Sequence, residues 1–271
     1  MKRFLTSLFG GKAVTNLAKP AALRFQPCLE KLENRQLMAA YISSLGNLCI
    51  VGTAANDTWE LADRTDSYGR QVLRVSTYNS SGALETKDFL TSQVPGIIKF
   101  WGYGGNDYVN AGQVSSRGVQ AWGGDGNDTL VGSQLRDILY GNGGNDGIDG
   151  QGGNDALYGG AGDDGMYGGA GADWMEGGDG NDYMSGGAGN DALYGNLGAD
   201  NLNGDLGNDY LDGGKDGFAD TLRGGGGSDT FVAELYFEAG AMRHRDSIMD
   251  YFGGNATYAA DQIIYSNRQL S

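Results

Sequence analysis

The stretch from Gly123 to Asp212 divides into ten consecutive rows of nine residues without a gap. The rows open with GGDGNDTLV, GSQLRDILY and GNGGNDGID and close with GNLGADNLN and GDLGNDYLD. Position 1 is glycine and position 6 is aspartate in all ten, and position 8 is always Leu, Ile or Met. Few patterns constrain a fold so tightly, because a nine-residue unit cannot bury an apolar face alone and must stack on its neighbours. The first six residues of a row suit a glycine-rich turn. The last three suit a strand, with position 8 pointing inward and positions 7 and 9 outward. One row is then half a coil, and two rows make a coil with a turn at each edge. The expected fold is an all-β, parallel β-solenoid.

Coiling sorts the aspartates into two columns. One holds Asp128, Asp146, Asp164, Asp182 and Asp200, extended by Asp107 and Asp220; the other holds Asp137, Asp155, Asp173, Asp191 and Asp209, extended by Asp229. Neighbours in a column should lie about 4.8 Å apart, the strand spacing of a sheet. Carboxylates that close repel unless a cation lies between them. Glycines at positions 1, 2 and 4 are expected to take φ > 0 and to aim carbonyl oxygens at one point. Asparagine at position 5 (Asn127, Asn145, Asn154, Asn181, Asn190, Asn208) is expected to tolerate the same conformation. Hard oxygen ligands without His or Cys favour Ca²⁺ over zinc or copper. A metal is therefore expected to be a folding requirement.

These rows closely resemble the RTX, or haemolysin-type, calcium-binding repeats over about half the chain. The resemblance implies a right-handed parallel β-roll with multiple Ca²⁺ ions between turns eighteen residues apart. It also implies coordination by main-chain carbonyls of the glycine-rich positions and by two position-6 aspartates. Carried over, Asp128 shares an ion with Asp146, Asp137 with Asp155, and so on down both columns. The row GSQLRD departs most, with Leu135 in place of the fourth glycine and a positive charge at Arg136. The row GGKDGFADTLR (Gly213–Arg223) carries two extra residues.

Four segments follow from composition. Residues 1–40 are basic, and Leu29–Ala40 (LEKLENRQLMAA) resembles the LExLExRxLL-type segment that opens many bacterial cell-surface proteins. This implies export, with Ala39 or Ala40 as a cleavage edge and Cys28 removed, so no intramolecular disulfide is expected. Residues 41–101 read as a β capping region. It contains a strand at Leu48–Val51, a degenerate row GTAANDTWE with Ala55 replacing the fourth glycine, and a hairpin formed by 70–78 and 83–90. A break at Pro95-Gly96 precedes a strand at Ile97–Trp101, and Asp57, Asp63 and Asp66 read as turn residues. Cys49, in the run LCIV, reads as a small core residue. Residues 102–232 form the array, with Ala111–Trp122 a longer, ligand-poor turn. Residues 233–271 form a C-terminal cap, in which DSIMDYF and DQIIY resemble the DxIxDFxxG…DxI segment that follows RTX arrays and covers the open end of the roll.

The chain has 34 acidic and 19 basic side chains, a net charge of −15, which argues against nucleic acid as a partner. Its one histidine, His244, excludes HExxH zinc chemistry, and no GxSxG is present, so no enzyme is expected. No run of eighteen apolar residues supplies a transmembrane segment. The function expected is a secreted or cell-surface calcium-binding β-roll that folds on binding several ions. A second reading is an adhesin, matrix or polysaccharide-binding module that uses an exposed ladder of Tyr140, Tyr158 and Tyr194. A third is an accessory part of a secreted hydrolase or epimerase, since RTX arrays often trail such enzymes.

Overall fold

Residues eighteen apart sit side by side. In the computed structural model, Leu139 pairs with Leu157 in parallel register, followed by Met175, Leu193 and Leu211 along one sheet. Leu130, Ile148, Met166, Met184, Leu202 and Leu222 run down the other sheet. Every one of these position-8 side chains is at most 1% exposed, and together they form a single inner stack. Positions 7 and 9 point outward on both sheets, as the period-2 alternation of a strand requires. Among the described residues the two sheets contain twelve and eleven strands, and the architecture is a parallel β-roll. The described residues are 39–78, 82–238, 241–244, 246–248 and 262–267. The export-like segment lies outside them except for its last two residues.

The N-terminal part of the roll is built differently. Strands β1 (Ala39–Ile42) and β2 (Leu48–Val51) are antiparallel, and β2 then leads the parallel stack of the first sheet. In the second sheet β3 (Thr58–Thr65), β4 (Gln71–Tyr78) and β5 (Leu84–Leu90) form an antiparallel meander. The expected hairpin is β4–β5, whose turn residues 79–81 lie outside the described residues. β3 joins it as a third strand that the nine-residue row did not reveal. Strands β6 (Ile98–Gly104) and β7 (Tyr108–Gln113) start the coils proper.

The stretch expected to be a long turn, Ala111–Trp122, ends in strand β8 (Val119–Asp125), which lies in parallel register with β6 and with Ile138–Gly143. Its inward side chains are Val119 and Ala121, the latter opposite Leu139 at the place of position 8, where so small a side chain leaves little apolar signal in the sequence.

The core is uneven along the roll. Sixteen of the twenty-eight residues in the buried cluster lie between Ala40 and Ala121, among them Trp59, Leu73 and Phe100. Trp59 meets Phe100 edge-on, with ring centroids 6.2 Å apart. Cys49 is buried, with its thiol directed at the Asn47 carbonyl. In the array, by contrast, each of the ten exact rows contributes one inward apolar side chain.

At the other end, Thr230–Glu238 is joined by Gln262–Asn267 in parallel and by Ala241–His244 in antiparallel orientation. Ser247–Ile248 extends the second sheet from Thr221–Gly226. The strands expected from DQIIY and from the start of DSIMDYF thus continue both sheets past the last row.

Candidate metal centre

The thirteen aspartates singled out by position 6 are all buried, none more than 3% exposed. A regular ladder holds them. The peptide N–H of each one from Asp107 to Asp220 donates to Oδ1 of the next aspartate in its column: Asp128 to Asp146 at 2.7 Å, Asp146 to Asp164 at 2.7 Å and Asp164 to Asp182 at 2.8 Å. The second column repeats this from Asp137 to Asp155 and on to Asp173 and Asp191, each at 2.8 Å. The two-residue insertion leaves both ladders intact, with Asp200 donating to Asp220 at 3.0 Å and Asp209 to Asp229 at 2.9 Å.

The first column is longer than the rows predicted. Asp57 donates to Asp107 at 2.8 Å, Asp107 to Asp128 at 2.7 Å, and Asp220 to Asp246 at 3.3 Å. Asp57, expected to be only a turn residue, thus heads the column, and Asp246 stands at its foot. Asp66 is a turn residue as expected, whereas Asp63 lies within strand β3. Asp63 accepts from Ser115 and Ser116, and Asp66 from the N–H groups of Tyr68 and Arg70.

The other carboxylate oxygen is the informative one. In Asp107, Asp128, Asp146, Asp155, Asp164, Asp173, Asp182, Asp191, Asp200 and Asp209, Oδ2 is buried and has no hydrogen-bond donor among the described residues. It faces the position-1 glycine of its own row. A Cβ built on Gly168 would sit 2.6 Å from both Asp173 Oδ2 and the carbonyl oxygen of Gly186, one coil on. Position 1 is therefore glycine for space. Positive φ belongs to positions 2 and 4 instead, for example 78° at Asn142 and 116° at Gly144. The position-5 asparagines do not take it either. Their side-chain Oδ1 atoms accept the next coil's N–H, Asn127 from Asn145 at 2.9 Å and Asn190 from Asn208 at 2.9 Å, which forms a second ladder outside the first.

Burial raises these carboxyl pKa values. Asp146, Asp164, Asp200 and Asp209 are each pushed up to about 7, and Asp155 to about 8, by desolvation first. Column neighbours add to the rise, and the ladder N–H opposes it. Carboxyl groups held this way accept either a proton or a cation. The donors are all hard oxygens, and among the described residues no three Asp, Glu, His or Cys side chains converge. A cation needing six to eight oxygens, as Ca²⁺ does, must then take carboxylates from successive coils and complete its shell from main-chain carbonyls.

A family model of the RTX calcium-binding nonapeptide repeat matches residues 99–114, 122–157, 148–175, 158–193, 185–217 and 216–235. The chain belongs to the RTX calcium-binding nonapeptide repeat family. Comparison with curated proteins found no match. The matched segments run from the second strand of the first sheet's parallel stack to the last row, and they take in all thirteen position-6 aspartates but not Asp57 or Asp246.

On the outer face of the RTX roll, Tyr140 and Tyr158 stack with centroids 4.8 Å apart and planes 9° apart. Trp122 and Trp101 continue the stack at 5.7 and 5.4 Å, two rings that the tyrosine spacing did not disclose. Glu176 takes the following rung, and Tyr194 beyond it leans on Trp174 at 4.6 Å. The stacked rings turn their faces to one another and present their edges outward. Tyr140, Tyr158 and Tyr194 are half-buried rather than exposed.

Proposed function

We propose that this RTX protein is an extracellular or cell-surface calcium-binding module whose array folds when Ca²⁺ enters the gaps between successive position-6 aspartates. The observation that carries this reading is the set of ten buried, donorless Oδ2 atoms, each turned to the side where a main-chain carbonyl of the next coil lies. A buried polar atom left unsatisfied costs roughly 1–3 kcal/mol, and more when it is charged. Ten in one small roll therefore oppose the fold unless something compensates them. Bound Ca²⁺ supplies the positive charge that neighbouring carboxylates otherwise lack.

The chain's own residues do the rest. The N–H ladder fixes each carboxylate's orientation, the position-1 glycine leaves the space open, and the position-8 side chains keep water from the interior. In this reading residues 41–101 cap the array of 102–232 at one end and residues 233–271 cap it at the other. Extracellular calcium modules bind at about 10⁻⁴–10⁻³ M, which suits a chain that stays unfolded in the cytosol and folds outside. The LExLExRxLL-like segment supports export. Among the described residues no helix is long and apolar enough to cross a membrane. A glycan-stacking role would call for open ring faces, and the aromatic ladder offers edges.

The test is far-UV circular dichroism of the full chain in chelator, then during a calcium titration, with magnesium as control. A cooperative gain of β signal with calcium alone is expected. A spectrum that does not change between chelator and calcium would overturn the reading.

A further inference from the structure

Of the fourteen turns from Gly52 to Asp229 that end in a column aspartate, twelve share one backbone. Each takes positive φ at its second residue and again two residues on, or three in the row with the insertion. The exceptions are GTAAND (52–57) and GSQLRD (132–137). Among the described residues with positive φ, none is Thr53, Ala55, Ser133 or Leu135. These two turns are the first of their respective columns.

They also treat the carboxylate differently. Thr53 donates to Asp57 Oδ2 twice, through its N–H at 2.6 Å and its hydroxyl at 3.1 Å. Ser133 donates its N–H to Asp137 Oδ2 at 2.5 Å and its hydroxyl to Oδ1 at 2.9 Å, and Val119 N–H adds a third bond to Oδ1 at 2.6 Å. The Oδ2 atom that lacks a donor in the ordinary rows has one here. Beside Asp137, Arg136 places a positive charge close enough to be felt at Asp155, the next rung. A cation at that gap would meet an Asp137 carboxylate whose oxygens are both satisfied, and a like charge.

The same end of the molecule holds most of the apolar core, and eight of the ten donorless Oδ2 atoms lie from Asp146 onward. We infer that the turns ending in Asp57 and Asp137 bind no ion, that Thr53 and Ser133 serve in its place, and that the N-terminal region from Leu48 to Ala121 folds without calcium as a template for the calcium-dependent coils. This inference rests on the calcium reading above and adds where that dependence stops. The template offers finished strand edges at β6, β7 and β8, so the first calcium-dependent coil needs no nucleus of its own.

Hydrogen exchange of the full chain, read by mass spectrometry in chelator and in calcium, tests this directly. In chelator, peptides from β3, β4 and β6 should exchange at least tenfold more slowly than peptides from 156–206, and calcium should protect both. Equal, fast exchange of the two regions in chelator would overturn the template. Protection of both in chelator, unchanged by calcium, would instead overturn the calcium reading itself.

Ion counting by native mass spectrometry gives the second arm. Asp137→Asn should keep the wild-type number of bound ions, whereas Asp164→Asn should lose at least one. Loss of an ion from Asp137→Asn would overturn the inference. Should that variant not fold, a crystal of the wild-type protein grown in calcium decides: ions are expected beside Asp146 and Asp164, and an ion beside Asp57 or Asp137 would overturn it.

Discussion

The region before Ala121 and the array after it carry the same coil by different means. Before Ala121, large side chains such as Trp59, Leu73, Phe89 and Phe100 fill the interior, and an antiparallel meander ties distant segments together. Beyond it each of the ten exact rows buries one Leu, Ile or Met and one carboxylate. A single apolar side chain per nine residues does little against the backbone entropy of ordering a glycine-rich row. The polar interior of the array is therefore its weakness and, in the reading proposed above, its binding site. The teaching is that a solenoid need not be uniformly stable: repetition propagates a shape, and stability can be supplied locally.

The largest expected effect comes from protons, because so many array carboxyls are raised together. A carboxyl whose folded pKa lies near 7 against about 3.9 unfolded stabilises the folded state below about pH 4. That contribution is lost as pH rises through the folded values of about 7 for Asp146, Asp164, Asp200 and Asp209. The calcium-free chain should thus gain β signal between pH 8 and pH 5. With calcium present, protons compete for the same oxygens, so the calcium midpoint should rise by about tenfold or more from pH 7.5 to 5.5. A calcium-free chain equally unstructured at pH 5 and pH 8 would mean that carboxyl burial is not what separates the two regions.

Next is Trp59→Ala, at a side chain 1% exposed and packed on Phe100. Emptying such a site costs about 3–5 kcal/mol. It should abolish the structure that survives in chelator and convert calcium folding from template-assisted to slow and poorly cooperative. If calorimetry in chelator showed the same residual unfolding transition as wild type, the N-terminal core would not be the stable part.

Much of this was legible in the sequence, for a physical reason. Glycine at position 1, aspartate at 6 and Leu, Ile or Met at 8 each answer to one steric demand repeated every coil, so the period alone located the two sheets, the inner stack and both columns. What escaped were places where the demand was met by other residues. Asp57-Thr58-Trp59 and Asp246-Ser247-Ile248 keep the aspartate and the apolar residue two places on, while the stretches before them lack glycine at the second and fourth positions. That three-residue signature would have found both ends of the first column. Ala121 fills an inward place too weakly to be noticed. The asparagines at position 5 were tied to the wrong property, because an amide suited to a left-handed turn is equally suited to accepting a ladder hydrogen bond.

Glycine substitutions sharpen the contrast at lower cost. At Gly168 a methyl group would meet Asp173 Oδ2 and the Gly186 carbonyl at 2.6 Å, so Gly168→Ala should destabilise the array by about 1–3 kcal/mol through overpacking and raise the calcium midpoint. At Gly69, in the β3–β4 turn, φ is +76° and nothing lies within 4 Å of a built Cβ. Gly69→Ala should therefore cost only the left-handed conformation, about 1 kcal/mol, and leave the calcium midpoint where it is. Equal midpoint shifts for the two variants, read by circular dichroism, would show that position 1 is not reserved for the site.

The smallest effect is expected at the surface of the meander. Arg74 holds Asp88 in a two-pronged pair, both contacts 2.8 Å, on side chains that are one-third or more exposed. The pair lowers the Asp88 pKa, chiefly through the Arg74 side-chain hydrogen bond. Its contribution is therefore present above the unfolded value and lost on acidification, opposite in sign to the array carboxyls. Solvent screening keeps the contribution of such a pair small. Arg74→Ala should raise the Asp88 pKa in an NMR titration and speed exchange of β4 and β5 in chelator by less than about fivefold. It should not move the calcium midpoint, since the pair lies outside both columns. A large midpoint shift from so slight a change would tie the meander's stability directly to ion binding, and the two regions would then be one cooperative unit.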